Sequence, residues 1–326
     1  MKAAYYERNG AAADVLVLGD VPTPQPGAGE VRVKLATSGV NPSDVKAREG
    51  RTRKIAFPRV IPHSDGAGVI DAVGAGVPAK RVGERVWVYN GQWKRAFGTA
   101  AEYIALPQAH AVRLAEQADF AAGANLGIPV QTAHAVVFAC GPVAGKTLLI
   151  HGGAGAVAHY AIQIAKWAGA KVLTTVSSGA KAEHAHAAGA DHAINYKVDD
   201  VAAAVQEFTD GQGVDHVVDS EFGENLTLDA QAVKPHGTIA IYGSQRKPEA
   251  MFPVLAVMQR CLTLRFVFVY ELDAAQRAHA LRDIDALLAA GRLKHAIAAR
   301  YPLDRIAEAH LAQESGHAIG NIVLDI

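Results

Sequence analysis

Between Leu148 and Ala158 the chain reads Leu-Leu-Ile-His-Gly-Gly-Ala-Gly-Ala-Val-Ala, an apolar run that breaks into glycines and resumes as small apolar residues. Gly153, Gly155 and Ala158 stand in the spacing G-x-G-x-x-A, directly after a strand-like segment and directly before a helix-like one. Each position has a mechanical reason. Gly153 permits a tight turn, Gly155 lets a pyrophosphate approach the backbone, and Ala158 lets the helix pack close to the sheet. With Gly152 and Ala154 completing the loop, the N–H groups of Ala156 and Val157 open a helix whose dipole favours phosphate. This context points to dinucleotide binding.

Which dinucleotide is decided about 20 residues on, where an acid would bond the ribose hydroxyls of NAD. The segment there is Thr175-Val176-Ser177-Ser178-Gly179-Ala180-Lys181, with no acid. Two hydroxyls and a lysine suit a 2′-phosphate, so NADPH is expected. Ser177 and Ser178 also have the residue type that caps the following helix.

Other residues with chemical potential are scattered. Gly39–Lys46 contains an Asn-Pro step, and its Asn41 and Asp44 are candidates for active-site polar groups or for a capped turn. His63, Ser64 and Asp65 are consecutive. Neighbours in sequence do not converge as a hydrolytic triad must, and His63 is kept only as a candidate proton relay. Thr132 and His134 either border a nicotinamide or simply pack. His184, His186 and His192 resemble a metal cluster, but helix positions two apart point in different directions. Cys140 and Cys261 lie in apolar segments and read as small core residues.

The elements that must position these groups fall into two rhythms. Up to about residue 125 the chain has short Val/Leu/Ile-rich runs, Ala12–Leu18, Glu30–Ala36, Ala67–Val73 and Arg85–Tyr89, separated by Gly and Pro clusters. They suggest a partly open β-barrel or sandwich. Strands and helices then alternate: Lys146–His151, Ala156–Ala168, Lys171–Val176, Lys181–Ala188, His192–Asn195, Val198–Phe208, Val214–Asp219, Leu226–Ala232 and Thr238–Tyr242. That alternation means a doubly wound parallel sheet with right-handed crossovers. A strand over Thr263–Tyr270, a helix over Ala274–Ala290 and a strand over Asn321–Ile326 follow.

The 32 basic residues balance 32 acidic ones, which advertises no nucleic-acid-binding stripe. Two cysteines form no disulfide framework, and a cytoplasmic setting is expected. No targeting segment is visible at the start. The uncharged stretch Thr147–Ala165 reads as strand, turn and helix, not as a membrane span.

Taken together, Gly39–Asp44, Pro62–Val69 with Val73-Gly74, Val82–Val86, Ala101–Tyr103, Gly127–Ala135, the glycine loop, Gly189–Asp191 through Ile194–Tyr196, and Gly320–Leu324 resemble the medium-chain dehydrogenase/reductase superfamily. Within it, the zinc-independent quinone oxidoreductase branch (the zeta-crystallin-like enzymes) is the nearest match. The resemblance implies an α/β fold in which a Rossmann-type domain, residues 126–261, is inserted in a GroES-like catalytic domain, residues 1–125 completed by 262–326. It implies Tyr196 beside the 2′-phosphate, further cofactor contacts at Lys46, Thr132, Gly243, Ser244, Phe266, Phe268 and Asn321, and a homodimer paired through strand 262–270. The positions of the superfamily's catalytic zinc ligands fall on Asn41, Ser64 and Ile128, so no metal is expected in the reaction. The implied activity is NADPH-dependent reduction of a quinone or α,β-unsaturated carbonyl compound. The alternative is an NADPH-binding protein with a structural or RNA-binding role and little turnover.

Overall fold

The computed structural model describes residues 1–326, which form two compact units. The first comprises Met1–Ile128, Ile284–Gly291 and His295–Ile326; the second comprises Pro129–Asp283 and Arg292–Lys294.

The first unit begins with β1 (Lys2–Tyr5), a single helical turn α1 (Ala12–Val15) and β2 (Val17–Asp20), which returns antiparallel to β1. The expected strand over 12–18 is therefore broken. Three consecutive alanines before Asp14 favour a helical turn, and extended pairing starts only at Val17. The long strand β3 (Glu30–Val40) leads into α2 (Pro42–Glu49), with Pro42 at the first helical position, where its missing N–H costs nothing. Then come β4 (Asp65–Val73), β5 (Arg85–Val88), β6 (Tyr103–Pro107), β7 (Ala111–Arg113) and the short helix α3 (Phe120–Gly123). Inward-facing Val31, Val33, Leu35, Ile70, Val86, Val88, Ile104 and Leu106 fill the barrel-like interior.

The second unit contains α4 (Gln131–Val137), β8 (Thr147–Ile150), α5 (Ala156–Trp167), β9 (Lys171–Val176), α6 (Gly179–Ala187), β10 (His192–Asn195), α7 (Val201–Phe208), β11 (Val214–Asp219), α8 (Phe222–Ala232), β12 (Val233–Ile241), α9 (Val254–Gln259) and β13 (Thr263–Phe266). Its sheet is wholly parallel, in the order β10-β9-β8-β11-β12-β13. The chain thus winds one way from β8 to β10, then reverses and builds outward from β11. That leaves a switch point between β8 and β11, where this architecture places its ligands. Leu149, Leu173, Val217 and Ile239 from the strands pack with Val205 and Leu226 from the helices.

Helix α10 (Ala274–Ala289) leads back to the first unit, where β14 (Ile297–Pro302), α11 (Ile306–Ser315) and β15 (Asn321–Asp325) complete the larger sheet. Its order is β14-β15-β3-β4-β5-β7, with β6 also paired to β3.

Two further expectations change. The strand begun at Thr263 stops at Phe266, the last residue paired with β12, and a 3₁₀ turn follows at Val269–Glu271. Because β13 pairs with β12, residues 262–283 belong to the second unit, and the boundary expected after 261 moves to Asp283. Cys140 and Cys261 are exposed, not core residues: Cys140 lies beyond the end of α4, and Cys261 has φ +52° in the turn between α9 and β13. No helix is long and apolar enough to cross a membrane, and Thr147–Ala165 divides between β8, the glycine loop and α5.

Candidate functional site

Each unit carries a buried polar constellation beside its candidate site residues. In the second unit, the loop from β8 to α5 stands beside the switch point. Gly152 has φ +70°, the left-handed conformation that turns the chain away from the strand. Gly153 has another duty than the turn expected of it. A Cβ there would lie 2.3 Å from Thr174 Oγ1, so glycine lets the loop pass close over β9. Gly155 is the exposed N-cap of α5, at φ −76°, and no side chain caps the helix. A phosphate can therefore meet the first-turn N–H groups of Ala156 and Val157 directly. Ala154 is buried beneath the turn.

Behind the loop lies a polar relay. Thr175 Oγ1 accepts a hydrogen bond from Gly152 N–H at 3.0 Å and lies 3.2 Å from His151 Nδ1; His151 Nε2 is 2.8 Å from Asp229 Oδ1. His151 and Asp229 are both buried. Burial opposes charge on His151, but the adjacent Asp229 carboxylate outweighs it and raises the imidazole pKa. Burial in turn lifts Asp229 to about 7, opposed by His151. The relay fixes the position of the Gly152 amide. Its members escaped the sequence reading because only His151 adjoins the glycines in the chain.

A cavity of about 400 Å³ opens there, lined by His151, Gly152, Thr175, Tyr196, Glu221 and Arg246 among others. Tyr196 is half exposed at its rim. Ser177 is half-buried at the end of β9, while Ser178 caps α6 by accepting from Lys181 N–H at 3.4 Å. The capping role thus holds for Ser178, and its hydroxyl keeps a proton to donate. Gly243, Ser244, Phe266 and Phe268 line a second cavity, of about 410 Å³, with Phe222 and Tyr242. Ser244 Oγ already accepts from Gly223 N–H and donates to Lys247 O. Thr132 is buried on α4. The histidines set aside as a metal group do not converge: His184 stacks on His159, and His186 Nδ1 donates to Ala190 O.

In the first unit, Asn41 ends β3 and opens α2. Its backbone N–H donates to Asp44 Oδ2 at 2.9 Å, and its side-chain Nδ2 donates to Asp65 Oδ2 at 2.8 Å. Ile128 N–H donates to the same Asp65 oxygen at 2.9 Å. A buried carboxyl therefore ties together two of the three positions where zinc relatives would carry metal ligands. Ser64, at the third, is buried and its hydroxyl has no partner. An amide, an aliphatic side chain and a hydroxyl are not a zinc donor set. Burial drives the Asp65 pKa well up and that of Asp44 to about 7.

His63 sits one residue before Ser64 with φ +75° and no exposed surface. Thr99 Oγ1 donates to Asp65 O at 2.6 Å, so Ser38 must donate to Thr99 at 2.7 Å and accept from His63 Nδ1 at 2.8 Å. Burial pulls the His63 pKa down to about 3, leaving Nε2 to accept from His310 Nε2 at 2.9 Å. The chain of donors ends on a backbone carbonyl. Both nitrogens of His63 are used inside the unit, on Ser38 and on His310. Lys46 lies on α2, and Asn321 uses both its N–H and its Nδ2 on Ala296 O.

Comparison with known proteins agrees with this architecture. Residues 27–116 match the alcohol dehydrogenase GroES-like domain and residues 156–285 the zinc-binding dehydrogenase family. The chain is 31% identical over 310 residues to the quinone oxidoreductase of Pongo abelii, covering 94% of this chain and 92% of that protein. It is 29% identical over 333 residues to a 2-haloacrylate reductase of Burkholderia sp, covering 99% and 98%. A mycobacterial protein solved in complex with NADPH superposes with a TM-score of 0.89 at 27% identity, covering 100% of both chains. With the barrel, the six-stranded parallel sheet and the replaced zinc positions all in place, the chain belongs to the medium-chain dehydrogenase/reductase superfamily, in its zinc-independent quinone oxidoreductase branch.

Proposed function

We propose that this protein is an NADPH-dependent oxidoreductase that delivers hydride to a quinone or an α,β-unsaturated carbonyl compound without a catalytic metal. The observation that carries the reading is the uncapped α5 N-terminus behind Gly155 at the sheet's switch point, with serines and a lysine, and no acid, after β9. The named relatives, a quinone oxidoreductase and a 2-haloacrylate reductase, support it.

When bound, the nicotinamide supplies the hydride. The chain's own groups bind and orient. The N–H groups of Ala156 and Val157 hold the pyrophosphate, and Ser177, Ser178, Lys181 and Tyr196 surround the 2′-phosphate. An acceptor carbonyl gains negative charge as hydride arrives. Asn41 spends one amide hydrogen on Asp65, which leaves the other to donate to that oxygen. A preorganised donor of this kind contributes on the order of 3 kcal/mol to the transition state. Asp65 is a positioning residue for Asn41, and Asp44 holds the same turn from its backbone side.

A homodimer is part of the proposal. β13 is the outer strand of the parallel sheet and ends in Phe266, 68% exposed, and such an edge strand invites a second copy. A cytoplasmic location fits the exposed, unpaired Cys140 and Cys261. The test is oxidation of NADPH, followed by absorbance against a panel of quinones, a panel of enones and no acceptor. Turnover with members of either panel is expected. NADPH binding without turnover on any acceptor would overturn the catalytic reading and leave a binding protein.

A further inference from the structure

A second group of metal-ligating side chains lies in the dinucleotide unit, outside the glycine loop. His279 and Asp283 stand one turn apart on α10, and His134 faces them from α4. His134 Nε2 is 2.8 Å and His279 Nε2 3.1 Å from the same oxygen, Asp283 Oδ2. All three ligand atoms lie within 4.8 Å of one another. The two imidazoles meet edge to face with centroids 4.7 Å apart, and Phe138 packs against both rings. Orientation is thus already set before anything binds.

We propose that His134, His279 and Asp283 form a binding site for a divalent transition metal, with Zn²⁺ the best-matched ion. Two imidazole nitrogens and a carboxylate oxygen are the donor set of open zinc sites, in which three protein ligands leave one position for water. Bonds of about 2.0–2.2 Å in a tetrahedron put ligand atoms about 3.3–3.6 Å apart, so the two nitrogen–oxygen spacings of 2.8 and 3.1 Å would open by roughly 0.2–0.8 Å. The side chain of His279 is 47% exposed and that of Asp283 20%, which gives the ion a way in and a place for the water. His134 is 3% exposed and anchors the inner side. None of the three residues belongs to the glycine loop or to the Asp65 cluster.

The test uses the full chain stripped of metal and titrated with Co²⁺, whose visible absorption reports low-coordinate nitrogen and oxygen ligation, followed by competition with Zn²⁺. One Co²⁺ per chain, displaced by Zn²⁺, is expected. His279→Ala, at a half-exposed position that tolerates truncation, should weaken binding at least tenfold; Asp283→Asn should do the same. The double variant His184→Ala/His192→Ala should bind as wild type does. Thermal melts should show Zn²⁺ stabilising the wild type but not His279→Ala. Absence of Co²⁺ binding, or binding that survives His279→Ala, would overturn the site and leave an ordinary His–Asp–His hydrogen-bonded group.

Discussion

In the glycine loop the working groups are backbone amides of Ala156 and Val157, left open to approach by the glycines that precede them. Around Asp65 they are side chains, buried and held by one another across β3, β4 and the turn at Ile128. The first arrangement depends on local spacing, because a strand, a turn and a helix N-terminus suffice to build it. The second depends on register: Gly39 lies opposite Asp65 between β3 and β4, and only this pairing brings Asn41 to the Asp65 carboxyl. A substitution in the loop should therefore alter ligand affinity and spare the fold. One in the Asp65 cluster should alter stability and its pH dependence.

The strongest break in that contrast is Gly155→Asp. Gly155 is exposed at a φ open to any residue, an added Cβ meets only Gly152 O at 3.2 Å, and Asp is a favoured N-cap, so the variant should still fold. The new carboxylate would sit at the phosphate position, and NADPH affinity should fall by more than a hundredfold in a fluorescence titration. Retained affinity would refute the loop's assignment. Lys181→Ala comes next. Loss of a charged hydrogen bond costs about 1.5–3 kcal/mol, so NADPH should bind roughly tenfold to a hundredfold more weakly while NADH is unaffected. Equal losses for both cofactors would remove Lys181 from the 2′-phosphate site.

On the buried side, Asp44 has its pKa raised by burial to about 7. The folded chain keeps a proton there that the unfolded chain releases above about pH 4. Stability contributed by that group is therefore present at low pH and is lost between about pH 4 and pH 7, at about 1.4 kcal/mol per pH unit. Asp44→Asn should flatten this part of the profile in urea unfolding measured across that range. Parallel profiles for the two proteins would contradict the burial argument. The smallest effect expected is that of chelation. Steady-state turnover should be unchanged after exhaustive treatment with a chelator, since Asn41, Ser64 and Ile128 offer no zinc donor set; loss of turnover restored by zinc would reverse that conclusion.

Much of the parallel sheet was legible because its strands are buried on both faces and read as apolar runs. Lys171–Val176, His192–Asn195 and Val214–Asp219 have the limits that their composition suggests. β14 was not legible: Ile-Ala-Ala-Arg-Tyr-Pro alternates weakly and lies at the sheet's edge, where little burial constrains it. The glycine loop was found, yet the reason for Gly153 was not, since Thr174 reaches it from the next strand. Asp65 stood in plain view beside His63. Its role depends on Asn41 and Ile128, which lie 24 and 63 residues away in the chain. His134 and Asp283 are 149 residues apart, beyond any spacing motif.

The place of β15 between β14 and β3 has a consequence for how the chain is made. Residues 37–40 of β3 pair antiparallel with residues 322–325, which are made only after the whole dinucleotide unit. His310, which completes the line of donors through His63 and Ser38, also arrives late. The dinucleotide unit is nearly continuous in sequence and can fold during synthesis. The first unit must keep an open strand edge and an unfinished core until β15 has been made, and then closes β15 onto β3 across the whole dinucleotide unit. Such non-local closure is slow, so newly made protein passes through a stage in which one half is folded and the other is exposed to aggregation and to chaperones.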